Sequence, residues 1–304
     1  MKSICIFGVF VADLCFIGDL IPTKGQTILG NKHTIGPGGK GSNQAIACAR
    51  LGGNVNFITK VGKDLNADMA LTLYKEVGIN TNSIIQDDFN LTGVAGIMIN
   101  EKTGENAINI IPGASGTITS KDIENNLKFI ETSDIFLTQL ETPYEVTRYA
   151  LKKAKETGSK TIFNPAPASE ILQEDFQLID YFTPNETEAS YYLKEKVETD
   201  EEIKKAGKVF LKKGIKNIII TLGSRGVYFA NSNENYFIES FKLKNQVKDT
   251  TGAGDAFNGA FAFALSKNKT NREAIVFANK VAGISTTKSG AANSMPTIEE
   301  VENY

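Results

Sequence analysis

Histidine, cysteine and tryptophan are nearly missing from this chain of 304 residues, which has one histidine, three cysteines and no tryptophan. The lone His33 sits in a polar, loop-like stretch and reads as a surface residue, so a multi-histidine metal centre is excluded and a histidine general base is disfavoured. Cys5, Cys15 and Cys48 form neither a CxxC pair nor a metal-ligand spacing, and their odd number suits reduced thiols in a cytoplasm. No apolar run approaches a membrane span, and Ile4–Gly8 is too short for the core of a signal peptide, so a cytoplasmic location is expected. There is no basic block either. A net charge of -2 argues against nucleic acid or an anionic membrane as the partner. The first apolar run ends in Gly8-Val9-Phe10-Val11-Ala12-Asp13, which lacks the Gly-x-Gly-x-x-Gly of a dinucleotide site.

What remains is an ordinary globular composition, 41% hydrophobic and 22% charged, arranged with a clear rhythm. Short β-branched runs read as buried strands at Ile4–Phe10, Val55–Thr59, Ile135–Leu140, Thr161–Asn164, Tyr181–Thr183 and Ile218–Leu222. Helical patterns alternate with them at Gln44–Leu51, Ala67–Val77, Ser120–Phe129, Pro143–Thr157, Asp200–Lys213, Gly254–Leu265 and Arg272–Thr287. Such alternation predicts an α/β fold, a mostly parallel sheet flanked by helices, with ligands at the C-terminal strand ends. Two stretches break the pattern. Residues 11–36 and 91–112 alternate apolar and polar side chains around turn signals, and are expected to form a small β-sheet lid on a single domain spanning 1–304. Tyr228–Ile238 reads as a further hairpin, and Pro296 introduces a short terminal helix.

Two glycine-rich segments each open a small-residue helix. In the first, Gly36-Pro37-Gly38-Gly39-Lys40-Gly41-Ser42-Asn43-Gln44, four glycines beside a lysine and an asparagine let the backbone approach a polyhydroxy or phosphorylated ligand. It is not a Walker A loop, because Lys40 is followed by Gly41. A bare turn and helix cap is the simpler alternative. In the second, Gly252-Ala253-Gly254-Asp255 starts the apolar run to Leu265, and free N–H groups there suit a phosphate or a transferring phosphoryl group. Asp255 is the one carboxylate in that greasy helix; its simpler reading is a first-turn acid stabilised by the helix dipole.

The pairing of Gly38-Gly39-Lys40-Gly41-Ser42-Asn43-Gln44 with Asp249-Thr250-Thr251-Gly252-Ala253-Gly254-Asp255 resembles the two signatures of the ribokinase-like sugar kinases, the phosphofructokinase-B family. The likeness runs from Ile4 to Pro296. Between the signatures it includes Gln139-Leu140-Glu141, Asn164-Pro165-Ala166-Pro167, Pro184-Asn185-Glu186-Thr187-Glu188 and Thr221-Leu222-Gly223-Ser224-Arg225-Gly226. The resemblance implies a Rossmann-like ribokinase fold and assigns roles. Asp255 would be the general base, with the amides of Gly252, Ala253 and Gly254 as the anion hole. Val11, Ala12, Asp13, Gly39, Lys40, Gly41, Ser42, Asn43 and Glu141 would surround the sugar. Asn185 and Glu188 would organise Mg²⁺ and the phosphates through water. Asn185, Thr221, Leu222, Gly223, Ser224, Arg225, Gly226, Gly254 and Asn279 would meet the ATP. A monovalent-cation site for K⁺ would use Asp249, Thr251, Ser285, Lys288, Gly290 and Ser294, largely through carbonyls.

The expected activity is therefore ATP-dependent phosphorylation of a pentose at its primary 5-hydroxyl, with D-ribose first. A kinase of 2-deoxyribose, of another sugar or of a nucleoside is the nearest alternative, and a non-catalytic sugar- or nucleotide-binding regulator a more distant one. The point of departure is Val11, where ribokinases of the family place an asparagine and the resembling deoxyribokinases an apolar residue. Lid strands with open edges are further expected to pair between two copies in a homodimer.

Overall fold

The computed structural model describes residues 2–304. From β1 (Ser3–Phe7) the chain enters β2 (Val11–Gly18) and β3 (Lys32–Gly38), and α1 (Lys40–Arg50) then returns to β4 (Asn54–Val61). Helix α2 (Leu65–Glu76) leads to a short strand, β5 (Ile84–Gln86), before β6 (Thr92–Asn100) and β7 (Asn106–Gly113). Helices α3 (Ser120–Asn125) and α4 (Leu127–Glu131) precede β8 (Ile135–Thr138), α5 (Tyr144–Glu156), β9 (Lys160–Phe163) and β10 (Tyr181–Phe182). Then follow α6 (Glu186–Leu193), α7 (Asp200–Lys212), β11 (Asn217–Thr221), β12 (Val227–Asn231) and β13 (Asn235–Ile238). Helices α8 (Ala253–Ser266), α9 (Asn271–Ser285) and α10 (Ile298–Asn303) complete the chain.

The strands divide into two sheets. The larger has nine strands in the order β13-β12-β11-β10-β9-β8-β1-β4-β5, parallel from β11 to β5, with the β12–β13 hairpin antiparallel at one edge. Successive residues of its strands point to opposite faces, and both faces are dry. Ile4 and Ile6 enter the core beneath α1, α8 and α9, whereas Cys5 and Phe7 enter the one beneath α5 and α7. This two-sided burial is why the strands read as continuous apolar runs. No helix among the described residues is long and apolar enough to cross a membrane.

The smaller sheet, β3-β2-β6-β7, holds the two segments that broke the βα rhythm. Its inner strands β2 and β6 are parallel neighbours although about eighty positions apart, a pairing that alternation alone did not announce. Register sets Asp13 beside Ala95, and Ala95 beside Ile110, in one row on one face. Both edge strands are largely exposed, and Phe16, Ile35, Met98, Ile108 and Ile110 all present apolar surface to solvent.

Among the element boundaries that differ from the sequence reading, with β1 ending at Phe7 rather than Phe10, three have a visible physical cause. Helix α1 begins at Lys40 rather than Gln44, because its glycine-rich first turn is held by tertiary bonds: Lys40 N donates to Glu141 Oε2 at 2.7 Å and Ser42 N to Val9 O at 3.1 Å. The helix expected over Ser120–Phe129 is split at Asn126, whose side chain donates back to Asp122 O. Strand β8 stops at Thr138, since Leu140 N turns to Ala166 O.

Candidate active site

Successive parallel strands deliver polar side chains at their C-terminal ends: Gln139 after β8, Asn164 after β9, Thr183 after β10 and Asn185 just beyond. Helices α1 and α8 bring the other half of the site. They cross closely because position 259 is glycine; a Cβ there would lie 2.4 Å from Gln44 O and 2.8 Å from the Cβ of Ala47. That approach places Asn43 and Gln44 against Asp255. Asn43 Nδ2 donates to Asp255 Oδ2 at 2.9 Å, and Gln44 Nε2 donates to Asp255 Oδ1 at 3.0 Å. Asp255 and Asn43 are each 5% exposed, so the carboxylate is a buried acceptor whose two oxygens are both oriented.

Three further charged groups converge on it. Asp13 is pushed up to about 6 by burial and by the nearby Asp255 carboxylate. Glu141 is pushed up to about 7, chiefly by burial, against the opposing pull of Lys40. The Lys40 ammonium is itself held above its ordinary range, first by Asp255 and then by Glu141 and Glu188. Three carboxylates thus share one lysine in a largely water-excluded recess, which suits a ligand rich in hydroxyl donors. Asn43 Oδ1 is buried without a protein partner, one more acceptor turned to the same place.

From Asp255 a cleft continues over the start of α8. Lys40, Asn164, Asn185, Glu188, Thr250, Gly252, Ala253 and Gly254 line its first part. Gly252, the N-cap of α8, makes no side-chain cap, and the amides of Gly252 and Gly254 are left for an anion, whereas that of Ala253, also expected there, donates to Thr250 O at 3.2 Å. The second part shares Asn185, Thr221, Thr250, Ala253 and Gly254 with the first. It then widens between the β12–β13 hairpin, the 239–250 loop and α9, with Val227, Phe241, Leu243, Val247 and Phe257 as apolar walls. Asn279 lies on this wall and donates to Glu239 O at 2.7 Å, pinning the loop.

The structure brings together Asp13, Gly39, Lys40, Asn43, Glu141 and Asp255 at one end, and Asn185, Thr221, Gly223, Ser224, Gly226, Gly254 and Asn279 along the rest. Val11 is buried beside Gly39. Other residues singled out in the sequence turn their side chains elsewhere. Ala12 is fully buried, Gly41 is packed on Gly8, and the Ser42 hydroxyl accepts from Tyr74 OH at 2.8 Å in the core. Leu222 packs in the core beneath α7, and Arg225 pairs with Glu186 and Asp200. Asn185 and Glu188 form a capping box on α6: Glu188 N donates to Asn185 Oδ1 at 2.7 Å and Asn185 N to Glu188 Oε2 at 2.8 Å. The other Glu188 oxygen is left for the cleft.

The loop before α8 is tied to the 286–295 segment through Asp249. Its carboxylate accepts from Thr251 N and Gly290 N, both at 2.9 Å, and is held below the usual carboxylate range despite the opposing effect of burial, which is the largest single influence on it. The hydroxyls of Ser285 and Ser294 bond to nearby carbonyls, and Lys288 pairs with Glu300. Among the described residues no cluster of three or more His, Cys, Asp or Glu forms a metal cage. Sequence reasoning gave no role to Gln44, Thr183 or Asn258, which join the base to its surroundings. Polar side chains inside otherwise apolar helices and strand ends were the available signal, Asn258 between Phe257 and Gly259 most plainly.

A family profile, pfkB family carbohydrate kinase, matches residues 1–298. The chain belongs to this family of carbohydrate kinases. Within the pfkB family it is 42% identical to a ribokinase of Staphylococcus aureus over 87% of this chain and 86% of that protein. It is 33% identical to a deoxyribokinase of Salmonella typhi over 99% of this chain and 98% of that one. The structure of Arabidopsis thaliana ribokinase complexed with ribose and ATP superposes with a TM-score of 0.92 at 29% identity, covering 99% of this chain and 98% of that one. The expected α/β architecture with its small second sheet and the expectation of a sugar kinase are both met by these findings.

Proposed function

We propose that this protein is an ATP-dependent ribokinase that transfers the γ-phosphoryl group of ATP to the 5-hydroxyl of D-ribose. The observation that carries the reading is the position of Asp255. It is a buried carboxylate held by Asn43 and Gln44 at the open N-terminus of α8, where a hydroxyl acceptor and a phosphoryl donor would meet. Asp13, Glu141 and Asn43 accept from or donate to the sugar hydroxyls. Asp255 takes the proton of the primary hydroxyl as it attacks, and the amides of Gly252 and Gly254 with Lys40 stabilise the charge on the transferring group. The bound ADP is then released from the apolar wall near Phe241 and Asn279.

Mg²⁺ fits the Asn185–Glu188 pair, whose mutual capping bonds fix one Glu188 oxygen and leave the other toward the phosphates. When bound, it would neutralise phosphate charge. K⁺ fits the 249–251 and 288–290 segments, since the carbonyls of Asp249, Thr251, Lys288 and Gly290 accept no hydrogen bond among the described residues. There it would brace the loop that leads into α8. The small sheet acts as a lid over the sugar with Ile110 on the Asp13 side, and its exposed apolar strands pair with a second copy in a cytoplasmic homodimer. A light-scattering mass of one chain at micromolar concentration would remove the dimer.

A second reading, 2-deoxyribose as the better substrate, is favoured by Val11, which is apolar and buried beside Gly39 where a hydroxyl-binding site would need a polar group. The likeness to a deoxyribokinase keeps it open. The test is ADP release with Mg²⁺ across ribose, 2-deoxyribose, other free sugars and nucleosides, with and without K⁺. Ribose turnover is expected; release with nucleosides alone would overturn the proposal.

A further inference from the structure

Asp255 can only accept hydrogen bonds, and this dictates the direction of every amide around it. Gln44 must face it with its NH₂ group, so Gln44 Oε1 points away, and there it accepts from Gln139 Nε2 at 2.5 Å. The second Gln44 proton goes to Asn164 Oδ1 at 3.0 Å, and Asn164 Nδ2 donates to Thr183 O at 3.1 Å. The Thr183 hydroxyl donates to Asn258 Oδ1 at 2.7 Å, and Asn258 Nδ2 to Gly254 O at 2.9 Å. The chain of bonds therefore leaves Asp255, crosses the strand ends of β9 and β10, and returns to the first turn of the same helix. Gln44 is fully buried and Gln139 is 1% exposed, and neither lines the cleft, whereas Asn258, also 1% exposed, lines its first part.

We propose that Gln44 is the positioning residue of the catalytic base: locked by Gln139, its amide sets the direction of the Asp255 carboxylate, and the continuing belt through Asn164, Thr183 and Asn258 couples that direction to the anion-hole turn. The proposal rests on the reading of Asp255 as the base. Its physical content is that a carboxylate free to rotate would lose alignment with the attacking hydroxyl, and misplacements near 1 Å can cost about 10²-fold in rate. Gln139 holds the far end. Its own Oε1 packs where a Cβ on Gly8 would come within 2.2 Å and has no hydrogen-bond partner, so the bond from Nε2 to Gln44 is what orients this amide.

The experiment is a double-mutant cycle on the full-length enzyme, with kcat, KM for ribose and KM for ATP measured for Gln44→Leu, Asp255→Asn and the pair, and melting temperature as a check on folding. Gln44→Leu is expected to lower kcat by about 10- to 100-fold while both KM values stay within about threefold, a split that lost packing alone would not produce. In the Asp255→Asn background the same substitution should cost less than about twofold, because the group it positions is gone. A kcat for Gln44→Leu within threefold of the parent overturns the proposal, as does an undiminished loss in the Asp255→Asn background. If Gln44→Leu does not fold, Gln139→Leu, which frees the far end only, should lower kcat by about 5- to 10-fold at unchanged KM; an unchanged kcat there also overturns it. Full turnover by Asp255→Asn itself would instead refute the reading of the base.

Discussion

The two ends of the cleft are built on opposite principles. At the proposed sugar end, Asp13, Lys40, Asn43, Glu141 and Asp255 are buried or half-buried; Asn43 and Gln44 hold both oxygens of Asp255, Lys40 N holds one of Glu141, and Asn43 Oδ1 is without a partner. At the proposed nucleotide end the walls are largely apolar side chains from a hairpin, a helix face and an irregular loop over 239–250. The first arrangement recognises by direction and tolerates little loss; the second recognises by area, and each contact is worth little. Substitutions should therefore be sharply more costly at the first end than at the second.

The largest expected effect is at Asp255. Asp255→Asn keeps the shape and the burial but removes the base, so kcat should fall by about 10²- to 10⁴-fold with sugar and ATP binding nearly unchanged. Steady-state kinetics together with titration of both ligands checks this, and a kcat within a few-fold of the parent would break the contrast at its root. Next comes Val11. With an apolar wall there, kcat/KM for ribose over 2-deoxyribose should stay below about 10³, whereas Val11→Asn should raise the ratio. A larger ratio in the parent, or one the substitution leaves unchanged, shows that Asp13 alone reads the sugar.

Between the two ends lies the loop carrying Asp249. K⁺ should stimulate turnover well beyond Na⁺ at equal ionic strength; equal rates would mean that the Asp249 carboxylate alone holds the loop. The pH dependence of stability sharpens the picture of the sugar end. Asp13 and Glu141 rise from 3.8 and 4.5 to about 6 and about 7 on folding, chiefly through burial. Because the folded values lie above the unfolded ones, their contribution is full below about pH 4 and is lost as pH climbs through 6 and 7. The melting temperature of the sugar-free protein should therefore drop between about pH 4 and pH 7, and Glu141→Gln should flatten the drop. An identical slope in the variant would remove Glu141 from the account. The smallest effect belongs to the nucleotide end. Asn279→Ala frees one bond to the 239–250 loop, so KM for ATP should rise about fivefold, the worth of one ordinary hydrogen bond, with KM for the sugar unmoved.

Much of this was legible in the chain before folding. The βα rhythm predicted the parallel sheet because strands buried on both faces must be continuously apolar. The two stretches that broke the rhythm are those of the small sheet. The two glycine-rich helix starts marked the elements that meet at Asp255, since a close backbone approach leaves its mark as missing side chains. Legibility failed where one element is completed by another far along the chain. Glycines are poor helix formers, so the helical pattern starts only at Gln44, yet Glu141 and Val9 hold a further turn from Lys40. Arg225 and Leu222 sat in a motif whose backbone lines the cleft, and their side chains turn to Glu186 and to the core instead.

By itself, then, the sequence determined the family, the layering of the sheet and the identity of the acid at the start of α8, all of which are written in local pattern: periodicity, glycine placement and a carboxylate among alanines. Tertiary structure alone decided how that acid is held. Gln44 and Asp255 are 211 positions apart and Gln139 and Gln44 are 95 apart, and nothing local says which way an amide will turn. That choice is made only when burial removes water as the alternative partner, because a carboxylate with no solvent to accept from forces donors toward itself and acceptors away.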